Sequence, residues 1–247
     1  MTKLIIDCDP GHDDAVAILL AARHLDLLGI TTVFGNQRVA RTTENALRLL
    51  ALAGLDIPVA AGCDEALVEP PLDGAAVHGA TGMDGAELPP PVAEALPVHA
   101  AEFLIEQARS HQGELVIALT GAQTNLALAL RLEPRLRRWL RAITIMGGSA
   151  GVGNVRPMAC INVVSDPEAA HIVFASGVPI HWVGYDLTRT VLVQDADIAR
   201  LRASGRRVAG AVADLCAFYS DRQRTVMGLP GAPMHDCCAI VPYSGRS

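Results

Sequence analysis

The sequence predicts an α/β fold, with a mostly parallel sheet that carries helices on both faces. Short runs of apolar, often β-branched residues alternate along the chain with longer segments of helical periodicity. The strand runs are apolar throughout, which is typical of parallel strands buried on both faces. Of the 247 residues, 51% are hydrophobic, so we expect residues 1–247 to form one domain with a sizeable core.

Each predicted element follows from one of these two patterns. The strand candidates are Leu4–Ile6, Ile30–Phe34, Leu115–Leu119, Ala142–Met146 and Ile180–Val183. The helix candidates are Asp14–Leu25, Thr43–Ala53, Val98–Ser110, Asn125–Leu132, Pro167–Ser176, Asp195–Ala203 and a long helix from Arg207 to about Arg224. Residues 68–97 are rich in glycine and proline, so we expect a long irregular loop of the kind that often carries function.

The composition argues against nucleic acid and membranes as partners. The formal net charge is −6, which attracts no polyanion, and no apolar run is long enough to span a bilayer. The first eleven residues lack the pattern of a secretion signal. The six cysteines show no zinc-type spacing, and we expect reduced thiols. These observations predict a cytoplasmic protein.

The stretch IIDCDPGHDD places four aspartates within positions 7–14, at the predicted end of the first strand. Acidic residues favour helix caps and first turns, which explains one or two of them, Asp13 and Asp14. Two carboxylates ~4 Å apart repel each other by about 4 kcal/mol at the dielectric typical of protein sites, so such a cluster needs a cation or strong donors. Ligands of open α/β sheets bind at this edge. An all-oxygen donor set favours Ca²⁺ or Mg²⁺ over zinc.

Polar residues follow other predicted strands, or open the segments after them, in the same way. They are Asn36, Thr120, Asn154, Asn162, His235 and Asp236. Each of them alone is typical of a turn or a helix cap. The stretch GSAGVGNVR does not match a dinucleotide-binding fingerprint, because Arg156 occupies its last position.

Taken together, these motifs resemble the inosine-uridine-type nucleoside hydrolases. The resemblance runs from residue 4 to about residue 238 through DCDPGHDDAVAIL, TVFGNQ, VHGATGMDG, TGAQTNLALALRLEP, IMGGSAGVGN, NVVSDPEAAHIVFASG and GAPMHD. It implies an open, Rossmann-like sheet without a bound dinucleotide and a Ca²⁺ ion at the bottom of the pocket. The implied reaction is hydrolysis of the N-glycosidic bond of a purine or pyrimidine ribonucleoside to ribose and free base. It also implies a homodimer or homotetramer.

The resemblance assigns roles at the sugar end of this reaction. Asp9 would be the general base that takes a proton from the attacking water. It would also bind the metal, together with Asp14, Asp236 and the backbone carbonyl of Thr120. His235 would be the general acid that protonates the departing base.

The resemblance also implies the residues that contact the substrate. Aspartate and asparagine side chains would hold the ribose hydroxyls, and a further histidine would face the base. These substrate-binding candidates are Asp13, Asn36, His78, Asn154 and Asn162. Gln223 falls where members of the family place a side chain that contacts the base.

One departure from the family pattern concerns the sugar. The family reads Ala-Glu-Phe-Asn where this chain reads ACIN at residues 159–162, so Cys160 replaces a glutamate that binds the ribose 5′-hydroxyl. Losing a charged hydrogen bond of this kind costs about 1.5–3 kcal/mol. A catalytically impaired homologue that binds metal and riboside is therefore the alternative function. No cationic neighbour in the sequence activates Cys160 as a nucleophile.

A second departure lies at the end of the sequence, which reads HDCCAIVPYSGRS where the family reads His-Asp-Pro and continues. We therefore expect a C-terminally short version of the family fold, with apolar surface exposed where the further segment packs in relatives. A third function, a phosphatase of the haloacid-dehalogenase type, would use Asp7 as the nucleophile. It needs a downstream lysine, and Lys3 is the only lysine in the chain.

Overall fold

A parallel sheet of six strands organises the chain in the computed structural model, which describes residues 1–68, 70 and 75–245. The strands are β1 (Lys3–Cys8), β2 (Asp26–Thr32), β3 (Val59–Ala61), β4 (Leu115–Leu119), β5 (Ala142–Met146), β6 (Ile180–Val183), β7 (Leu192–Val193) and β8 (Ala232–Pro233). The sheet order is β3-β2-β1-β4-β5-β6, and every neighbouring pair is parallel. The short strands β7 and β8 form a separate antiparallel pair.

Helices cover both faces of the sheet. They are α1 (His12–His24), α2 (Val39–Ala53), α3 (Ala75–His78), α4 (Ala100–Ser110), α5 (Thr124–Leu132), α6 (Leu136–Trp139), α7 (Ile161–Val164), α8 (Pro167–Phe174), α9 (Tyr185–Thr188), α10 (Asp195–Ala203), α11 (Arg207–Arg222) and α12 (Cys237–Ile240). A π-helical turn, Gln223–Met227, continues α11, and a 3₁₀ turn, Val241–Tyr243, continues α12. Among the described residues, no helix has both the length and the apolarity to cross a membrane.

Alternation along β1 shows how the two layers form. Leu4, Ile6 and Cys8 belong to the apolar core under α1, α2 and α11, whereas Ile5 belongs to the core under α4, α5 and α8. Successive side chains of a strand point to opposite faces, so one strand serves both cores. The predicted α/β fold with a mostly parallel sheet and helices on both faces is thereby confirmed.

The structure moves several predicted boundaries. β2 begins at Asp26, four residues before the predicted start, because Asp26 pairs with Lys3 at the beginning of β1. Pairing with β1 therefore extends β2 toward its beginning through residues that lack a strong apolar pattern. The predicted bounds of Ile30–Phe34 were wrong. The sequence also missed β3, an edge strand of three residues. The predicted bounds of β4, β5 and β6 agree with the structure.

The predicted loop at 68–97 is largely irregular where the structure describes it, and it contains the short helix α3. Residues 69 and 71–74 of this loop lie outside the described residues. The helix predicted to reach about Arg224 ends at Arg222, where the backbone changes to the π-helical turn.

Asp7 ties three elements together below the carboxyl edge of the sheet. Its carboxylate oxygen Oδ1 accepts hydrogen bonds from Thr31 Oγ1 on β2, at 2.6 Å, and from Asn125 Nδ2 on α5, at 2.8 Å. Asn125 Nδ2 also donates to the backbone oxygen of Thr32 at 3.0 Å. Asp7 is fully buried, and burial raises its pKa to about 7. Asp7 therefore has a structural role, because it links β1 to β2 and α5.

We predict that Asp7→Ala destabilises the chain by about 2–4 kcal/mol, because it leaves two buried donors without their acceptor. Asp7→Asn retains an acceptor oxygen and is expected to cost less. Urea unfolding in the presence of a chelator measures both free energies. The exposed Asp56→Ala is the matched control and should leave the unfolding midpoint unchanged. An equal midpoint for Asp7→Ala and Asp56→Ala would contradict the structural role.

Candidate active site

A cavity of about 340 Å³ opens at the carboxyl edge of the sheet, beside the ends of β1, β4 and β5. Every site residue predicted from the sequence lines it: Asp9, Asp13, Asp14, Asn36, His78, Thr120, Asn154, Asn162, His235 and Asp236. These residues come from segments spread over most of the chain. Parallel strands bring them together, because their carboxyl ends meet at one edge.

The connection between β1 and α1 fixes the first carboxylates. Asp9 Oδ2 accepts a hydrogen bond from the backbone nitrogen of Asn36 at 2.6 Å, and Asn36 Nδ2 donates to the backbone oxygen of Asp9 at 2.9 Å. Asp14, in the first turn of α1, accepts from the Gly11 nitrogen at 2.9 Å. A Cβ at Gly35 would lie 2.0 Å from Asp9 Oδ2, so only glycine permits this close packing of the next loop.

Three buried aspartates form the acidic cluster of the cavity. One carboxylate oxygen from each of Asp13, Asp14 and Asp236 lies within 4.8 Å of the other two, and all three residues are buried. Asp14 Oδ1 also accepts a hydrogen bond from Thr120 Oγ1 at 3.0 Å. The sequence placed Asp13 with the ribose ligands, and the structure sets it beside the two proposed metal ligands. Asp9 lines the same cavity but stands outside this group of three.

Burial makes these carboxyl groups hard to ionise. It raises the pKa of Asp9 and Asp236 well above their ordinary values, and it raises the pKa of Asp13 to about 7. Neighbouring carboxylates raise these pKa values further, and no lysine or arginine is among the described residues that line the cavity. A cation would relieve both the burial penalty and the repulsion. A hard divalent cation with oxygen ligands therefore fits this donor set.

Amide groups arrange the wall next to the carboxylates. Asn162 Nδ2 donates to the backbone oxygens of Thr120, at 2.6 Å, and Met146, at 3.1 Å. Gln123 Nε2 donates a hydrogen bond to the backbone oxygen of Asn162 at 2.9 Å, which holds Asn162 in place. Asn154 Oδ1 accepts from the backbone nitrogen of Ile161 at 2.9 Å, which secures the loop before α7.

Aromatic and imidazole rings build another part of the cavity wall. The His78 ring packs against Tyr219, with centroids 5.3 Å apart, and the His235 ring lies 5.2 Å from that of Tyr185. His235 Nδ1 is hydrogen-bonded to Thr188 Oγ1 at 2.7 Å. Burial lowers the pKa of His235 to about 3 and that of His78 well below its ordinary value. Both imidazoles are therefore neutral at neutral pH.

Sequence reasoning missed the two tyrosines. Neither Tyr185 nor Tyr219 belongs to a motif, and the packing of α9 and α11 brings them to the cavity. Gln223 lines the cavity as expected, at the beginning of the π-helical turn. Its Oε1 is buried without a hydrogen-bond donor among the described residues.

The surroundings of Cys160 and Asp7 argue against two alternatives, a cysteine nucleophile and a phosphatase. Cys160 is buried in the cavity wall, and burial raises the pKa of its thiol to about 11, so the thiolate needed for a nucleophile is not formed at neutral pH. Asp7 is not among the described residues that line the cavity, and its carboxylate is bonded between β2 and α5. The phosphatase alternative, which needs Asp7 as an exposed nucleophile, is wrong.

Comparisons with known proteins agree on one family. A family model described as inosine-uridine preferring nucleoside hydrolase matches residues 4–245. The chain is 44% identical over 241 residues to the pyrimidine-specific ribonucleoside hydrolase RihA of Shewanella sp. (strain ANA-3), covering 96% of this chain and 76% of that protein. It is 38% identical over 240 residues to RihB of Escherichia coli (strain K12 / DH10B), also named a pyrimidine-specific ribonucleoside hydrolase, covering 96% and 77%.

Solved structures show the same relationship in three dimensions. The plant nucleoside hydrolase PpNRh1 superposes with a TM-score of 0.92 at 34% identity, covering 99% of this chain and 79% of that one. A purine-preferring ribonucleoside hydrolase from Gardnerella vaginalis gives a TM-score of 0.93 at 30% identity, covering 98% and 80%.

We predict that Asp236→Asn raises the melting temperature of chelator-treated protein at pH 8. The raised pKa means that ionised Asp236 destabilises the fold as the pH increases, and a neutral amide removes this penalty. The same variant should lose most of the increase in melting temperature that Ca²⁺ gives the unaltered protein.

Thermal unfolding with and without Ca²⁺ measures both effects, with the exposed Asp56→Asn as the matched control. A lower melting temperature for metal-free Asp236→Asn than for the control would contradict the electrostatic account of this cluster.

Proposed function

Because the chain belongs to the inosine-uridine preferring nucleoside hydrolase family, we propose that it is a Ca²⁺-dependent enzyme that hydrolyses pyrimidine ribonucleosides to ribose and free base. One observation carries the proposal: buried carboxylates and two neutral histidines line one cavity. The names of RihA and RihB support a pyrimidine preference. Because a purine-preferring ribonucleoside hydrolase is also among the similar structures, the test includes a purine ribonucleoside as a competing substrate.

The buried carboxylates suit the positive charge that develops on the sugar. Breaking the N-glycosidic bond makes the ribose oxocarbenium-like, and buried carboxylates stabilise that positive charge. Asp9, Asp14, Asp236 and the Thr120 carbonyl would hold the cation, with Asp13 beside them. When bound, Ca²⁺ would lower the pKa of a nearby water and attract the ribose hydroxyls.

Asp9 is the proposed general base. Its Oδ2 accepts one hydrogen bond, from the Asn36 nitrogen, and the side chain lines the cavity. With its negative charge favoured by a cation, Asp9 takes a proton from the water that attacks the anomeric carbon. The backbone of Asn36 holds the carboxylate in place, so the base is oriented before substrate enters.

The ribose hydroxyls are assigned to residues around this carboxylate. Asp13 supplies acceptor oxygens, while Asn36, Asn154 and Asn162 supply amide groups, and all of them line the cavity. The carboxylates and the histidines line the same cavity, so one bound riboside would contact both sets of groups. The 2′- and 3′-hydroxyls would contribute to this binding, which favours ribose over deoxyribose.

The two histidines suit the negative charge that develops on the departing base. The base gains negative charge as the bond breaks, and a hydrogen-bond donor or acid on that side stabilises it. His235 is the proposed hydrogen-bond donor to the base: when its Nδ1 accepts from the Thr188 hydroxyl, the neutral ring carries its hydrogen on the other nitrogen, which makes no hydrogen bond to the described part of the chain. His78, Tyr219 and Gln223 complete the wall that would contact the base.

We also propose that copies of the chain associate as a homodimer or homotetramer. Exposed apolar side chains support this, because Phe174 and Trp182 lie edge to face with 43% and 50% of their surfaces exposed. Leu187 is also exposed, at 58%.

A second candidate function is binding of metal and riboside without efficient turnover. The observation that favours it is Cys160, a weakly hydrogen-bonding side chain that lines the cavity wall beside Met146 and Tyr185. Such a wall offers little to a ribose hydroxyl, which would weaken substrate positioning and leave the acidic cluster intact.

We predict release of free base and reducing sugar from uridine and cytidine in Ca²⁺, and loss of this turnover in a chelator. Asp9→Ala should abolish turnover, because it removes the base, while Asp56→Ala should retain it. Inosine, assayed in parallel, ranks purine against pyrimidine bases. Ca²⁺ binding with no turnover of any nucleoside would favour the impaired homologue, and turnover that survives in Asp9→Ala would contradict the proposed mechanism.

We predict that Cys160→Ala retains turnover of uridine, because a thiol with a pKa of about 11 stays protonated and makes no covalent intermediate. Steady-state rates of the variant and the unaltered protein check this. Complete loss of turnover in a Cys160→Ala protein that still binds Ca²⁺ would show that the thiol takes part in the reaction.

A further inference from the structure

His12 is a buried histidine to which neither the motifs nor the proposed mechanism gives a role. It is fully buried, and its ring is stacked on Phe218 and Tyr219 of α11, with centroids 5.3 and 5.2 Å away. It is not among the residues that line the cavity, but it contacts one that is, because its Nδ1 lies 3.2 Å from Nδ1 of His78.

The two hydrogen bonds of His12 determine where its proton lies. His12 Nε2 lies 2.8 Å from the backbone oxygen of Asp84, and a carbonyl oxygen only accepts. Nε2 must therefore carry the hydrogen. The ring is fully buried against Phe218 and Tyr219, and its two nitrogens meet a backbone oxygen and another imidazole, with no carboxylate of the described residues bonded to either nitrogen to pair a positive charge. Buried charges need such a partner, so the ring holds a single proton and Nδ1 carries a lone pair.

The same reasoning then fixes the tautomer of His78. A hydrogen bond between the two Nδ1 atoms needs one hydrogen, and His12 Nδ1 has none to give. His78 Nδ1 must donate it. Since His78 is also neutral, its Nε2 is left with a lone pair.

The acceptor left on His78 belongs to the cavity. His78 lines the cavity, and its Nε2 makes no hydrogen bond to the described residues. Gln223, whose Oε1 also lacks a donor, lies in the π-helical turn that continues α11 and lines the same wall. His78 Nε2 and Gln223 Oε1 are therefore two acceptor atoms available to a ligand that brings a hydrogen.

We propose that His12 is a positioning residue that holds His78 in the Nδ1–H tautomer, so that His78 Nε2 accepts a hydrogen bond from an N–H group of the bound base. The inference rests on the proposed function, because it takes a nucleoside as the ligand. It separates the two histidines, since His78 then accepts from the base while His235 remains the proton donor. For uridine the N–H must be N3–H, because uracil bound to ribose has no other.

The first test reads the tautomer directly. In ¹⁵N-histidine-labelled, Ca²⁺-loaded protein at pH 7, we expect the His78 Nε2 resonance at the position of an unprotonated imidazole nitrogen and the Nδ1 resonance at that of a protonated one. Spectra of His78→Gln identify the His78 signals. A protonated Nε2 on His78 would overturn the proposal. This measurement needs neither turnover nor a His12 variant that folds.

The second test uses 3-methyluridine, which lacks the N3 hydrogen. Loss of one hydrogen bond lowers kcat/KM about tenfold relative to uridine in the unaltered protein. His12→Phe keeps an aromatic ring in the stack but releases the His78 tautomer, so the preference for uridine should shrink. A simple steric clash of the methyl group would persist in this variant, which separates size from hydrogen bonding.

The exposed His171→Phe on α8 is the matched control and should keep the full preference. An unchanged preference in His12→Phe would overturn the role of His12. Absence of hydrolysis by the unaltered protein would overturn the proposed function instead, and the ¹⁵N spectrum would still decide the tautomer.

Discussion

The burial of several carboxylates at one edge of the sheet is the constraint on which the rest of the site depends. Asp9, Asp13, Asp14 and Asp236 are at most 4% exposed, and no basic side chain is among the described residues that line their cavity. Within the described residues, neutral groups donate to them, such as the Asn36 and Gly11 nitrogens and the Thr120 hydroxyl. These donors hold the carboxylates in position, but they do not neutralise the charge. The site is arranged for a cation, and the folded chain is strained electrostatically without one.

The cavity combines buried carboxylates with neutral histidines, and the proposed reaction uses the two kinds of group differently. In the proposed reaction, the carboxylates would stabilise the sugar atoms that become positive, and the neutral histidines would stabilise the base that becomes negative. Neutral imidazoles are suited to this place because each still has one hydrogen and one lone pair to direct. In the proposed role of His12, its contact with His78 determines whether His78 offers a hydrogen or a lone pair to the cavity.

Much of this arrangement could be predicted from the sequence, and the failures have physical reasons. Polar residues directly after apolar strands reach one edge in any parallel sheet, so Asn36 and Thr120 could be placed before any coordinates were known. Tyr185 and Tyr219 could not, since the packing of α9 and α11 brings them to the cavity. The bounds of β2 depended on its pairing with Lys3 and the rest of β1, which local composition does not reveal. The grouping of Asp13 with Asp14 and Asp236 depended on the first turn of α1 and on the approach of the last segment, which is a tertiary contact.

Calorimetric titration of chelator-treated protein with Ca²⁺ tests the central claim most directly. Repeating it at pH 7 in buffers of different ionisation enthalpy counts the protons released. The account predicts a single bound ion per chain and a release of protons, because carboxyl groups with raised pKa values must lose theirs to bind the cation. Absence of binding, or binding without proton release, would contradict the claim that these buried carboxylates form the cation site.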